Sequence, residues 1–171
     1  KQILEINLRD RYAVVQPGVV NVWLTNALKG TGYHYAPDPS SQGACTIGGN
    51  VATNSGGPHT LKYGVTVNHA LGVEAVMTDG SIVQFGGPAQ DQLGLDLTGA
   101  IVGSEGTLAI VTKVWVRLTP NPQGVRTMLG VFESADDATN AISAIIGAGI
   151  IPAALEMMDQ GILVAVEAAF H

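Results

Sequence analysis

The stretch from Tyr35 to Gly64 constrains the fold of this chain more than any other segment. It contains six glycines and three prolines, and most of its other residues are small or polar. Small side chains let another molecule approach the backbone closely, and free N–H groups at a helix start favour electron-rich atoms. A plain surface loop of turn residues is the alternative. Because loops this long without function are uncommon in compact domains, we interpret the stretch as a ligand-binding segment.

Several short motifs in this stretch, and one further along, resemble the FAD-binding core of a known superfamily. They are Pro37-Asp38-Pro39, Thr46–Asn50, Asn54–Gly57 and Lys62–Gly64, followed by Gly103–Thr107 with Ile110 and Val111. Together they resemble FAD-linked oxidases of the vanillyl-alcohol oxidase and p-cresol methylhydroxylase (PCMH) type. Within that superfamily, the chain is similar to the FAD subunit of glycolate oxidase and to D-2-hydroxyacid dehydrogenases. The resemblance covers essentially the whole chain.

This resemblance implies a non-covalent FAD site. The backbone at 37–41 and 48–50 would pass close to the isoalloxazine ring. The side chains of Asn50, Asn54 and Ser55 would contact ring or ribityl oxygens. Residues 103–106 and Ile110 would line the adenosine end. The cofactor-binding residues it implies are Pro37, Asp38, Pro39, Ser40, Ser41, Thr46, Ile47, Gly48, Gly49, Asn50, Asn54, Ser55, Gly56, Tyr63, Glu105, Gly106 and Ile110. For Glu105, a turn carboxylate without a ligand is the alternative. The catalytic base and metal ligands of the family are expected outside this chain.

Motifs of other cofactor and catalytic classes are absent from the sequence. There is no G-x-G-x-x-G dinucleotide motif, no P-loop and no nucleophile elbow, and the four histidines show no metal-ligand spacing. Two interpretations of His59 stay open, a residue facing the flavin or substrate and an ordinary loop histidine. Some relatives attach flavin covalently through Cys, but Cys45 is spaced differently from theirs relative to Thr46. We therefore expect flavin that is not covalently attached.

Composition narrows the class of partner. The chain is 46% hydrophobic and only 13% charged, which is typical of a globular chain with much buried surface. Its net charge of −6 disfavours nucleic acid or an anionic membrane as the main partner. The single cysteine excludes an internal disulfide and fits a reducing compartment. The most apolar region, 141–155, is interrupted by glycines and Pro152, so no membrane span is expected.

Hydrophobic periodicity predicts alternating strands and helices before residue 120. Strands are expected at 12–16, 71–77, 82–85 and 108–118, the last with Ile110, Thr112, Val114, Val116 and Leu118 on one face. A helix is predicted over 20–29 with Trp23 as a core residue, and 90–99 is expected to be a loop with a short turn. Asp79-Gly80 between two alternating runs predicts a β-hairpin, since this pair accepts positive φ angles.

A domain boundary is expected near residue 120, because Pro120, Pro122 and Gly124 interrupt any regular element. Beyond it we expect strands at 127–132 and 153–158 and a helix capped by Ser134. The fold class is thus α+β. Residues 1–120 would be the second subdomain of a PCMH-type FAD-binding domain, a mainly antiparallel sheet with flanking helices. Residues 121–171 would begin an α+β substrate (cap) domain, so that the chain is an internal fragment.

The expected function is FAD-dependent oxidation of a 2-hydroxy acid, of the glycolate or D-lactate type, to the 2-oxo acid within a larger protein. Alternatives are another oxidoreductase on the same FAD module, such as a D-2-hydroxyglutarate dehydrogenase or an aromatic alcohol oxidase, an ether-lipid synthase, and a non-catalytic interaction domain. Expected partners are the small acid and an electron acceptor or partner redox subunit in an oligomer or complex. The expected location is the cytoplasm, peripheral to a membrane where partner subunits hold it there.

Overall fold

The computed structural model describes residues 1–88 and 94–170, and within them an antiparallel sheet forms the main layer. Its five strands are β1 (Ile3–Asn7), β2 (Tyr12–Val15), β4 (Ala70–Val76), β5 (Ile82–Gly86) and β6 (Ile110–Arg117). They lie in the order β1-β2-β6-β4-β5, with every neighbouring pair antiparallel. Two short strands, β3 (Tyr33–His34) and β7 (Thr119–Pro120), pair in a separate sheet. The predicted α+β class, with an antiparallel sheet and flanking helices, is confirmed.

Four α-helices precede β6 in the described part of the chain, and all except the one-turn helix contribute residues to the hydrophobic core. They are α1 (Asn21–Ala27), α2 (Ile47–Thr53), the one-turn α3 (Thr60–Tyr63) and α4 (Leu97–Ile101). Leu24, Ile47 and Val51 from the helices belong to one buried cluster with Val73 and Val114 from the sheet. Each fully buried side chain of this size contributes about 1.5–3 kcal/mol of transfer free energy. The core therefore fixes α2 against the middle of the sheet.

The prediction that Trp23 is a core residue is wrong. Its side chain is 47% exposed, whereas Asn21, Leu24 and Leu28 are buried. These three positions follow helical spacing and define the inward face of α1, which leaves Trp23 on its flank. Trp23 was placed in the core because a buried Asn on the inward face is invisible to a pattern based on apolar residues.

A bulge changes which side chains of β6 face the core. Glu74 pairs with Lys113 and Ala75 pairs with Val111, so Thr112 is the extra residue in β6. One inserted residue reverses the alternation before it. As a result Val111 packs against the core, while Ile110 is 62% exposed. The prediction that Ile110 and Thr112 share the inward face with Val114 and Val116 is therefore wrong.

The predicted hairpin between β4 and β5 is present, with a longer turn than the Asp-Gly pair suggests. Met77 N donates to Ser81 O (2.8 Å) and Gly80 N to Met77 O (2.9 Å), which leaves three residues in the loop. Gly80 has a φ of 84°, while Asp79 is not among the residues with positive φ. A left-handed residue in third position is typical of three-residue hairpin loops.

The chain after Pro120 has less regular structure than predicted. No strand is present at 127–132 or 153–158, where each segment lacks the pairing partner that a strand needs. Helix α5 (Ala135–Gly147) begins as predicted, with Ser134 Oγ accepting from Asp137 N (3.1 Å), and α6 (Gln160–Phe170) follows. Of the loop predicted at 90–99, residues 90–93 lie outside the described residues, and α4 begins within the rest. Residues 120–137 are all exposed, and the domain boundary near 120 stays a prediction.

Gly72 provides a test of the sheet packing, because β4 passes very close to the end of β5. A Cβ at this position would lie within van der Waals overlap of Gly87 N and 2.6 Å from the Gly86 carbonyl carbon. We expect Gly72→Ala to lower the free energy of unfolding by about 1–3 kcal/mol in urea titrations. Gly80→Asn is the control, since its Cβ meets nothing within 4 Å and Asn accepts left-handed φ, and it should change stability by less than about 0.5 kcal/mol. Equal effects of the two substitutions would contradict this packing.

Candidate functional site

The start of α2 is closed to ligands by internal hydrogen bonds. Ile47 N donates to Val19 O (2.8 Å), Gly48 N to Pro17 O (2.8 Å) and Gly49 N to the Thr46 hydroxyl (3.1 Å). The expectation of free N–H groups at this helix start is therefore wrong. The segment before α1 supplies the carbonyls, and a capping hydroxyl supplies the remaining acceptor. Any ligand here must be recognised by shape and by side chains.

The two glycines at the start of α2 have different structural roles. A Cβ on Gly48 would overlap Pro17 Cβ and lie 3.0 Å from Pro17 O, so this glycine permits close packing of the chain on itself. A Cβ on Gly49 would have only the Thr46 hydroxyl near it, at 3.3 Å, and Gly49 is exposed. Gly49 is therefore the glycine that presents bare backbone to an approaching molecule.

The other end of α2 holds the second glycine block. Gly103 N donates to Val51 O (2.8 Å) and Glu105 N donates to Ala52 O (2.9 Å). Carbonyls in the last turn of a helix lack intrahelical partners, and here the 103–107 segment supplies them. Glu105 itself has a φ of 52°, a left-handed conformation that is uncommon for a residue other than glycine.

A groove of about 360 Å³ lies between these two blocks. Six of the predicted cofactor-binding residues line it, namely Thr46, Gly48, Gly49, Glu105, Gly106 and Ile110. Ser104, within the predicted 103–106 segment, also lines the groove, as do Pro17, Gly18 and Ala52, which were not predicted. The outward turn of Ile110, which the bulge at Thr112 produces, brings it to this surface. Two motifs that are far apart in the sequence therefore share one groove.

The loop at 37–41 does not line this groove and is held separately by buried amides. Asn21 Nδ2 donates to Pro37 O (3.1 Å), and Asn50 Nδ2 donates to Asn21 Oδ1 (3.0 Å). Asn21 is fully buried and Asn50 is 2% exposed. The structure thus uses the Asn50 amide nitrogen to tie the loop to α1 and α2. Pro37 and Pro39 lie in this loop, with Ser40 and Ser41 exposed at its end.

A carboxylate–imidazole pair joins the 37–41 loop to α3. Asp38 Oδ2 accepts a hydrogen bond from His59 Nδ1 at 2.5 Å. The carboxylate is the acceptor, so Nδ1 carries the proton and Nε2 of a neutral ring presents a lone pair. The His59 ring centroid lies 6.4 Å from that of Tyr63. The contact with Asp38 fixes the orientation of the His59 ring in the loop.

The remaining predicted residues connect the two regions. Asn54 ends α2 with a φ of 49°, and its Oδ1 accepts from Val67 N (2.9 Å). Gly56 packs against Thr60, and Ser55 O accepts from the Thr66 amide and hydroxyl. Ile47, in contrast, is fully buried in the core. The structure therefore gives Ile47 and Asn54 internal roles beside the predicted site.

Sequence reasoning missed Asn21 and the Pro17-Gly18 pair. Asn21 looked like a polar position within an amphipathic helix, and nothing in the local sequence indicates that it is buried. Pro17-Gly18 directly follows the strand predicted at 12–16, and it is not among the predicted site residues. A Pro-Gly pair just before a helix, in a chain with a separate glycine-rich block, was the one signal that another backbone passes close by.

The residues present fit a dinucleotide cofactor. Among the described residues, buried side-chain atoms without a hydrogen-bond partner include Asp38 Oδ1, Ser55 Oγ and the Tyr35 hydroxyl. Burial raises the pKa of the Tyr35 phenol above its ordinary value, so the hydroxyl keeps its proton and can donate a hydrogen bond. The groove falls in the lower part of the range of small-molecule pockets, roughly 300–1,000 Å³. Tyr35, Asp38 and Ser55 do not line the groove, so the chain offers two separate features, buried polar atoms without partners and a glycine-walled groove. Together they match the mixed polar and flat surfaces of FAD.

Residues 1–88 and 94–170 contain neither a metal cluster nor a membrane-spanning helix. No group of three or more His, Cys, Asp or Glu side chains is arranged to hold a metal ion. In the same part of the chain, no helix combines the length and the apolar character needed to cross a membrane.

Comparison with known proteins confirms the resemblance. Residues 1–86 match the FAD binding domain family and residues 121–171 match the family described as FAD linked oxidases, C-terminal domain. The glycolate oxidase subunit GlcD of Bacillus subtilis is 48% identical over 97% of this chain and 36% of its own length. A D-lactate dehydrogenase of Archaeoglobus fulgidus is 37% identical over 92% of this chain and 35% of its own length.

A solved structure agrees with these sequence matches. Alkyldihydroxyacetonephosphate synthase superposes with a TM-score of 0.73 at 27% identity, covering 90% of this chain and 28% of that chain. The chain spans about a third of the length of the curated relatives it matches. FAD is the cofactor named by both family descriptions. The chain belongs to the FAD binding domain family of FAD-linked oxidases.

Proposed function

We propose that this chain forms one wall of the FAD site in a larger flavoenzyme that oxidises a 2-hydroxy acid to the 2-oxo acid. The observation that carries the proposal is the shared groove. Segments 46–49 and 104–106 are distant in the sequence, yet they line one cavity and are bonded together through α2. The groove also opens onto the core residues Val51, Ile101 and Ala109.

In this proposal, the chain's own residues position the cofactor. The adenosine end lies along Glu105, Gly106 and Ile110, and Gly49 allows the ligand to approach the backbone. The 37–41 loop, anchored by Asn21, places Pro37 and Asp38 beside the ring. When bound, FAD supplies the two-electron acceptor for oxidation of the hydroxy acid.

The substrate class follows from the names of the relatives. They include glycolate oxidase subunits, D-lactate dehydrogenases and a D-2-hydroxyglutarate dehydrogenase, all of which are named for 2-hydroxy acids. We propose an acid of the glycolate or D-lactate type. The similarity to alkyldihydroxyacetonephosphate synthase supports a second candidate, a synthase on the same FAD module. Dye reduction by glycolate or D-lactate in the longer protein would favour the first candidate, and its absence with FAD bound would favour the second.

We further propose a domain organisation for the chain and a location for the groups that it lacks. Residues 1–120 form the end of the FAD-binding domain and residues 121–171 begin a cap domain, in line with the exposed, irregular segment after Pro120. The catalytic base and the electron acceptor lie outside the chain, the latter as a small molecule or a partner redox subunit. The free, half-buried Cys45 fits a reducing compartment such as the cytoplasm.

Gly49 tests the placement of the cofactor. In the longer protein, Gly49→Val should abolish FAD content because the side chain would project into the groove. Gly49 lies in a helix and is not among the glycines with positive φ, so the fold should survive the substitution. The measurement is flavin absorbance per protein chain, with circular dichroism to verify folding.

Gly80→Asn is the matched control. It also replaces an exposed glycine, but Gly80 lies in the β4–β5 hairpin and does not line the groove. It should retain a full complement of FAD. If the folded Gly49→Val variant also keeps stoichiometric FAD, the cofactor does not lie in this groove.

The mode of flavin attachment gives an independent prediction. Acid precipitation of the longer protein should release all FAD into the supernatant without proteolysis, because the predicted site has no tether and Cys45 is spaced differently from cysteine tethers. Flavin that stays with the precipitated protein would refute non-covalent binding. Cys45→Ala would then show whether this thiol is the point of attachment.

The 171-residue chain by itself should bind FAD weakly and show no turnover. It spans about a third of its relatives, so phosphate contacts from the rest of the protein are missing. Each charge-assisted hydrogen bond contributes roughly 1.5–3 kcal/mol, and losing two or three weakens binding by about two to six orders of magnitude. Flavin fluorescence titration and dye-reduction assays with glycolate and D-lactate measure both properties. Submicromolar FAD binding, or dye reduction that depends on added glycolate or D-lactate, would contradict the proposal.

A further inference from the structure

A second pocket, which we call the basic pocket, is separate from the glycine groove. It is lined by the β1–β2 turn, by α3 and by the end of β6 with the residues that follow it, and its volume is about 640 Å³. No residue that lines it also lines the groove. The volume of the basic pocket falls within the range of small-molecule sites.

The pocket concentrates positive charge on a chain whose net charge is −6. Arg9, Arg11, Lys62 and Arg117 line it, which is half of the eight Lys and Arg residues in the sequence. None of the four forms an ion pair with another described residue. Asp10 is the only carboxylate among the lining residues, and its Oδ2 accepts from Asn7 Nδ2 (3.0 Å). Unpaired cations around a concave surface favour an anionic ligand.

Two lining groups have buried atoms without partners. Arg117 is half-buried, and its Nε has no hydrogen-bond partner among the described residues. His69 is 5% exposed, its Nε2–H donates to Tyr63 O (2.8 Å), and its Nδ1 likewise has no partner there. Burial lowers the pKa of His69 and keeps the ring neutral. Arg117 N donates to His69 O (2.8 Å), which ties His69, the residue just before β4, to the last residue of β6.

Tyr63 connects the pocket to the proposed flavin loop. Its side chain lines the pocket, and Lys62 Nζ lies 5.3 Å from its ring centroid. Its ring is also the neighbour of His59, which is bonded to Asp38. The basic pocket therefore adjoins the end of the site where the ring is proposed to lie, and not the adenosine end.

We propose that the basic pocket binds the carboxylate group of the small acid that the longer protein oxidises. A guanidinium presents a planar pair of donors that matches a carboxylate, and Arg117 is the one guanidinium of the pocket that is not fully exposed. Arg9, Arg11 and Lys62 on the exposed rim attract the anion. The identity of the acid rests on the proposed function, whereas binding of a carboxylate here does not require FAD.

The test is a titration of the 171-residue chain, followed through the imidazole signals of His69 by nuclear magnetic resonance. Glycolate and D-lactate should shift these signals saturably, with an affinity that falls as ionic strength rises. Arg117→Met keeps the aliphatic stem and should weaken binding about tenfold or more, the loss expected for a charge-assisted contact. Arg126→Met is the matched control, since Arg126 is exposed outside the pocket, and it should leave the affinity unchanged.

If Arg117→Met does not fold, Lys62→Met on the exposed rim decides instead, with an expected weakening of about twofold or more. Three results would overturn the proposal: no shift of His69 with either acid, equal weakening by Arg126→Met, or tighter binding of inorganic phosphate than of both acids. The FAD content of the longer protein separates the two proposals. A failed titration beside normal FAD content refutes the basic pocket alone, and absent FAD beside a successful titration refutes the proposed function alone.

Discussion

A buried hydrogen-bond chain between two asparagines holds the candidate site together. Asn50 on α2 donates to Asn21 on α1, and Asn21 donates to the Pro37 carbonyl of the loop. Because both side chains are removed from water, breaking either contact leaves a buried polar group unsatisfied, at a cost of about 1–3 kcal/mol. The loop that carries Asp38 is thereby attached to helices α1 and α2.

The same helix organises the second half of the site through its backbone. The first-turn amides of α2 are bonded to the Pro17–Val19 segment, and its last carbonyls bond to the 103–107 block. A helix start is often the anion-binding part of a nucleotide site. Here it is used for internal packing, so the proposed site relies on bare backbone at Gly49 and on the outward side chain of Ile110. The proposal therefore expects the phosphate contacts of FAD from parts of the longer protein outside this chain.

Much of the fold and of the candidate site could be predicted from the sequence. The wrong predictions share a cause, because each depends on contacts between distant residues. The glycine motifs, the Asp79-Gly80 hairpin and the Ser134 cap are local signals, and the structure contains the corresponding elements. Trp23 was misplaced because a buried Asn21 sets the helix face. The outward turn of Ile110 depends on a bulge that exists only through pairing of β6 with β4. Segments 127–132 and 153–158 have the composition of strands but no partner in the described part of the chain.

The central claim is that Thr46–Gly49 and Ser104–Gly106 face one cofactor. Hydrogen exchange of the longer protein, with and without FAD, tests it most directly by peptide-level mass spectrometry. The account predicts that FAD slows exchange in peptides covering 37–50 and 103–111 together, while peptides covering α5 exchange at the same rate in both states. Protection of only one of the two blocks, or of neither, would show that they do not bind the same molecule.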